Sequence, residues 1–172
     1  MNKPLTFFFK DDGLVPNNPA LPALVYKSAI DVGSASAPEA EIERLFVANG
    51  WGRDMWRDGI FSYVHYHSMI HEALGVARGH ARVQLGGHAG EVLEFSAGDI
   101  AVLPAGTGHQ RLSASNDFSV VGAYPPEGTY DLCRGDNPGE REKALTTIPN
   151  VPQPQSDPVF GEHGPLLALW RR

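Results

Sequence analysis

The stretch GIFSYVHYHSMIHEALGVARG, residues 59–79, places three histidines and a glutamate within the eight positions from His65 to Glu72. The run Ile60–His67 reads as a β-strand, in which alternate side chains share a face. His65 and His67 then point the same way with Cα atoms roughly 7 Å apart, a separation that two imidazoles close onto one ion. If Phe61 and Tyr63 share their face, both histidines turn into the interior and Tyr66 points out. Histidines in an apolar interior need partners, because buried polar groups have to be satisfied, and a metal would serve. Counting on by two from His67 reaches Met69 and His71, so strand periodicity favours His71 as the next ligand. Glu72 joins the site only if Ser68–Ile70 forms a turn or bulge that resets the alternation.

Outward from this segment, residues 56–125 carry short β-like runs punctuated by glycine. Beside Ile60–His67 these are Ala81–Leu85, Val92–Phe95, Ile100–Leu103 and Phe118–Tyr124, with turns expected at Gly86-Gly87 and Ala97-Gly98-Asp99. Regularly spaced short strands imply an all-β sandwich or barrel. Upstream, the apolar runs Leu5–Phe9 and Leu21–Tyr26 sit among Pro16, Pro19 and Pro22 and are expected as extended arms or edge strands. One helix is expected between them and the barrel. Ser36-Ala37-Pro38-Glu39 has capping-box spacing, Ile42, Leu45 and Phe46 share one face, and Asn49-Gly50 stops it. Trp51 and Trp56 read as packing beneath that helix. Downstream of Arg134 the tail is rich in Pro, Asp and Gln, and it ends in PLLALW, which is expected to dock on the barrel or on a partner subunit.

The 172 residues suit one domain with a single good core. We divide it into an N-terminal arm and helix over 1–55, a barrel over about 56–125 and a C-terminal tail over 126–172. The formal charge of -6 offers no electrostatic footprint for nucleic acid or an anionic membrane. The single cysteine, Cys133, excludes an internal disulfide and a Cys-based zinc site. The three-Phe run near the N-terminus is cut off by acidic residues well before signal-peptide length, and no run spans a membrane, so a cytoplasmic protein is expected.

Two spaced patterns resemble the cupin superfamily. Gly59-x5-His65-x-His67-x4-Glu72-x6-Gly79 is similar to its first motif, and Gly98-x5-Pro104-x-Gly106-x2-His109 to its second. Ser113 stands where the second motif often has Asn. The runs HYHSMIHEALGV, VLPAGTGHQRL and VVGAYP further resemble small single-domain bacterial cupins of uncharacterised function. The resemblance implies a double-stranded β-helix, or jelly-roll barrel, with one divalent metal inside held by His65, His67, Glu72 and His109. His71 or Gln110 then serves as a partner to the ligands.

That ligand set, three imidazoles and one carboxylate, suits Fe, Mn, Ni, Co or Zn and not Cu(I) or calcium. On a six-coordinate ion it leaves two positions for O₂, water or substrate. The expected function is therefore a metal-dependent enzyme of the O₂-using oxidoreductase or dioxygenase type, acting on a small polar or carboxylate substrate. Arg111, two residues after His109, would hold a substrate carboxylate, and Tyr63 would be a pocket wall or acid–base group. The alternatives are a non-catalytic ligand-binding or sensing cupin and a metal-dependent isomerase or decarboxylase. His80, His88 and His163 read as surface residues. A homodimer is expected from the apolar N-terminal run and the PLLALW tail.

Overall fold

The computed structural model describes residues 3–171. Its elements in chain order are β1 (Leu5–Phe7), β2 (Ala23–Tyr26), α1 (Pro38–Ala48), β3 (Arg53–Asp58), β4 (Glu72–Arg78), β5 (His80–Leu85), β6 (Glu91–Ser96), β7 (Ile100–Leu103), β8 (His109–Ala114), β9 (Ser119–Tyr124), α2 (Pro138–Thr147) and α3 (Pro165–Leu169). The strands make a six-stranded sheet, β1-β2-β7-β4-β9-β3, and a three-stranded sheet, β6-β5-β8, with antiparallel pairing throughout. From β4 onward the chain crosses between the two sheets after β4, β6, β7 and β8. This is the double-stranded β-helix, or jelly roll.

The central strand β4 shows how the layers are set. Leu74 and Val76 face the core between the sheets, with Val83, Leu85, Phe95, Ala101, Leu103 and Val120. Ala73 and Ala77 face the opposite side, against Ile42 and Phe46 of α1, together with Leu24, Trp51, Leu166 and Trp170. Gly75 lies on that same side. A Cβ there would approach Ile42 Cγ2 to 2.6 Å and Phe46 Cζ to 3.2 Å, so the helix seats on bare backbone. Glu72 begins the strand with the parity of Leu74 and Val76, and therefore faces the space between the sheets.

Several local expectations give way to the tertiary structure. Residues 60–67 are not a strand: His65 and Tyr66 form only isolated bridges, to His109 and Cys133 respectively. Strands β3, β4 and β8 were not visible as apolar runs, because RDMWRD and HQRLSA carry mostly polar residues and EALGVAR pairs its two large apolar residues with alanine and glycine. Helix α1 starts one residue after Ala37, which makes no side-chain cap, so Ser36 does not close a capping box. Segment β2 is not an arm: it lies inside the sheet between β1 and β7. The tail holds a second helix, α2, whose amides at Gly139 and Glu140 donate to the Asn137 side chain at 3.0 and 3.4 Å.

PLLALW docks on the body of the same chain. Trp170 is 1% exposed, with Nε1 donating to Pro22 O at 2.9 Å. The amide of Leu166 donates to the buried Asp157 carboxylate at 3.1 Å. The N-terminal run pairs with β2. Both segments on which a dimer was expected are thus used within the chain. No helix among the described residues is long and apolar enough to cross a membrane.

Candidate metal centre

Backbone bridging brings the first two imidazoles together. His65 N–H donates to His109 O at 3.2 Å and His109 N–H returns the bond to His65 O at 2.9 Å. Their rings consequently sit 4.0 Å apart. His67 completes a buried triad whose ligand-capable nitrogens all lie within 4.8 Å of one another. Each Nδ1 meets a backbone carbonyl: Tyr63 O at 3.1 Å from His65, Thr107 O at 3.0 Å from His109, and Asp131 O beside His67. A carbonyl can only accept, so each Nδ1 carries a proton and Nε2 is the nitrogen left to offer a lone pair to an ion when the ring is neutral. Metal-binding histidines are held by this kind of contact.

Glu72 stands beside the triad and is 2% exposed. Its Oε2 lies 3.3 Å from His67 Nε2 and 3.2 Å from His109 Nε2, within reach of both but without a hydrogen bond. Burial would push this carboxyl up, but the charge on His67 and contacts with both imidazoles outweigh it and hold the group well below the usual carboxylate range. Burial likewise works to lower His67, and the adjacent Glu72 carboxylate overcomes it, so His67 is raised. His65 is pushed down to about 3, by burial first and then by the neighbouring His109. A buried carboxylate oxygen without a hydrogen bond, facing inward-directed imidazole nitrogens, fits a divalent cation.

The other carboxylate oxygen is held by a relay. Tyr124 Oη–H donates to Glu72 Oε1 at 3.0 Å, and Trp56 Nε1–H donates to Tyr124 Oη at 3.0 Å. Burial, and then the Glu72 charge, raise the Tyr124 phenol, so it remains a proton donor. Trp56 reaches this position through a bulge between Arg53 and Trp56, where Asp54 takes φ +45°. Its indole covers Gly122, where a Cβ would fall 1.9 Å from Trp56 Cε2. Trp56 is therefore part of the site and not packing under the helix, whereas Trp51 does belong to the helix-side core.

The alternation between His67 and Glu72 is reset by a turn at Ser68 and Met69. Their amides donate to the Asp131 carboxylate at 2.9 and 3.1 Å, and Ser68 Oγ donates to it at 2.6 Å. Asp131 thus holds the turn with its side chain and His67 with its carbonyl. His71 lands on the opposite face. It is fully buried, accepts Ala105 N–H on Nδ1 at 2.9 Å and packs 4.8 Å from the Trp170 ring. It is not exposed, and the Nδ1 atoms of the triad are met by the carbonyls of Tyr63, Thr107 and Asp131.

Arg111 turns aside, its Nε donating to Ile60 O at 3.1 Å, and it does not line the cavity. Tyr63 also lies outside the lining, stacked on Phe61 at 4.9 Å with the Arg134 guanidinium 4.0 Å above its ring. Gln110 is half-buried in β8, and His80, His88 and His163 are exposed. Tyr66 points away from the triad but is buried beneath α2 with Val15, Cys133 and Ile148. Trp56, Tyr124, Tyr130 and Asp131 were missed as site residues. Only Tyr124 had a usable signal, since it shares the inward parity of Val120 in β9.

The triad and Glu72 line a cavity of about 390 Å³ that reaches the surface past Trp56, Phe61 and Tyr130. Its volume lies within the range of small-molecule sites.

No family model matches the chain. The uncharacterized protein YjlB of Bacillus subtilis is 43% identical over 166 residues, 96% of this chain and 95% of its own length. Among solved structures, acireductone dioxygenase from Bacillus anthracis, with cadmium in its active centre, is 17% identical with a TM-score of 0.39, covering 62% of this chain and 80% of that one. A double-stranded β-helix protein from Klebsiella pneumoniae is 16% identical with a TM-score of 0.39, over 79% and 82% respectively.

Proposed function

We propose that this chain, which belongs to one family with YjlB of Bacillus subtilis, is a cupin and a metal-dependent oxidoreductase that uses O₂ on a small polar molecule. His65, His67, Glu72 and His109 would hold one divalent transition metal: Fe, Mn, Ni, Co or Zn. The observation that carries this is the convergence of three Nε2 lone pairs, each fixed by an Nδ1–carbonyl contact, with an unsatisfied Glu72 oxygen at a cavity wall. Such an ion, when bound, supplies Lewis acidity and, if redox-active, electrons for O₂.

The chain's own residues do the rest. Three backbone carbonyls keep the imidazoles in one tautomer and orientation. Tyr124 orients the carboxylate and keeps a proton at Oη beside the cavity. Ile60 and Leu74 supply apolar wall that limits water around a bound molecule.

The test is elemental analysis of untagged protein, followed by oxygen-electrode assays over a panel of small polar compounds. One Fe, Mn, Ni or Co per chain with metal-dependent O₂ consumption is the expected result. Stoichiometric zinc without O₂ uptake would replace the oxidoreductase reading with an isomerase, decarboxylase or binding role. Absence of metal even after reconstitution would remove the metal reading itself.

Asp131 provides a second check, because it lies outside both motifs. Asp131→Ala is expected to weaken metal affinity about 10–100-fold in chelator competition. Asp131→Asn keeps an acceptor for the Ser68 and Met69 amides and should lose only a few-fold. Unchanged affinity in the alanine variant would mean that the tail does not hold the site.

A further inference from the structure

Outside the imidazole–carboxylate cluster, the charged residues lining the cavity are Asp54, Arg57 and Asp58. Arg57 is already committed: its Nε and Nη2 meet the two carboxylate oxygens of Glu43 at 2.5 and 2.7 Å, a bidentate pair on α1. Arg111 serves the Ile60 carbonyl and stays out of the cavity. Asp54 is likewise paired, with Arg53 Nε at 3.2 Å, and Arg53 Nη1 serves the carbonyls of Pro126 and Gly128. Among the described residues lining the mouth, Asp58 is therefore the carboxylate outside an ion pair, and no cation is free to hold an anion.

The walls at the mouth are aromatic. Phe61 is 44% exposed and stands 5.1 Å from the His65 ring. Tyr130 is 50% exposed and stands 5.1 Å from the His67 ring and 5.7 Å from Tyr124. Trp56 lines the same opening. Exposed rings gathered around a cavity mouth gain by covering an apolar or planar surface, and they also favour a cation over their faces.

We infer that the molecule taken by this cavity has an aromatic or similarly apolar body and, at its outer end, a neutral or cationic group facing Asp58. An anionic outer end would meet the Asp58 carboxylate while the Arg53 and Arg57 guanidinium groups are already engaged, which selects against it. Only the inner, metal-binding end of that molecule rests on the proposed function. This narrows the small polar molecule of the proposed function to one whose polar ends flank an apolar body, and Arg111, which serves the Ile60 carbonyl outside the cavity, has no part in holding it.

The test uses full-length protein, metal-loaded and metal-free, and hydroxamates that share one metal-binding head. Acetohydroxamate, benzohydroxamate, para-aminomethyl-benzohydroxamate and para-carboxy-benzohydroxamate are compared by calorimetry. Benzohydroxamate is expected to bind about tenfold tighter than acetohydroxamate. The aminomethyl compound should match or exceed it, and the carboxy compound should fall about tenfold below it. Asp58→Asn should erase the carboxylate penalty, and Phe61→Ala should weaken benzohydroxamate but not acetohydroxamate.

Equal binding of the carboxy and unsubstituted compounds, or of the acetyl and benzoyl heads, would overturn the inference while acetohydroxamate binding stays metal-dependent. Acetohydroxamate binding that ignores the metal would overturn the metal reading instead. The ring and charge ranking would still decide the ligand class.

Discussion

Glu72→Ala loses stoichiometric metal, whereas the neighbouring His71→Ala keeps it and loses stability. Removing Glu72 takes away the carboxylate whose Oε2 lies within 3.3 Å of two imidazoles of the triad, and the expected fall in metal affinity exceeds about 100-fold, beyond what removal of a supporting contact costs. The metal-free fold should survive, because His67 is a group that can shed its proton near neutral pH once its carboxylate partner is gone. His71 does different work. Its Nδ1 satisfies the buried Ala105 amide and its ring packs on Trp170. Truncation leaves both a cavity and an orphaned donor, at a cost of about 3 kcal/mol, or roughly 6–12 °C in melting temperature for a chain of this size. Elemental analysis and thermal melts on the two purified variants read both effects. Metal lost from His71→Ala and kept in Glu72→Ala would reverse the assignment of faces.

Trp170→Ala is the substitution expected to cost the most stability. The side chain is 1% exposed, closes the helix-side core with Leu166, Leu21 and Leu24, and donates to Pro22 O. Losing a buried tryptophan costs about 3–5 kcal/mol. The urea midpoint should fall while the slope of the transition stays unchanged. A contact made within one chain gives a midpoint independent of protein concentration. If PLLALW acted across a subunit interface, the midpoint of the wild type would rise with concentration, and the intrachain account of the tail would fail.

The two effects show which features of the sequence were readable. Strands β5, β6, β7 and β9 announce themselves as apolar runs between glycine turns, as does the helix that carries Ile42 and Phe46. By contrast β3 and β8 are polar strands whose pairing is supplied by neighbours, and local composition carries no trace of them. The Tyr66 side chain looked outward from strand parity, yet α2 covers it. That helix was hidden in a tail whose composition reads as loop.

The same division runs through the site. Strand spacing alone paired His65 with His67, because two imidazoles turned into a core need partners, and His109 joined them through the resemblance of its segment to the second cupin motif. Spacing did not decide between His71 and Glu72, since period-two counting continues only while the strand does. That choice was made by Asp131, more than fifty residues away, whose carboxylate holds the Ser68–Met69 turn and shifts the parity by one. The relay from Trp56 through Tyr124 to Glu72, the commitment of Arg57 to Glu43 and the turning of Arg111 to Ile60 are likewise contacts between distant segments. The sequence by itself determined the all-β architecture and the chemistry of the donor set. Only the tertiary structure decided which carboxylate orients, which cations are spent and what the cavity mouth can accept, because each depends on partners that become neighbours only after the sheets have closed on one another.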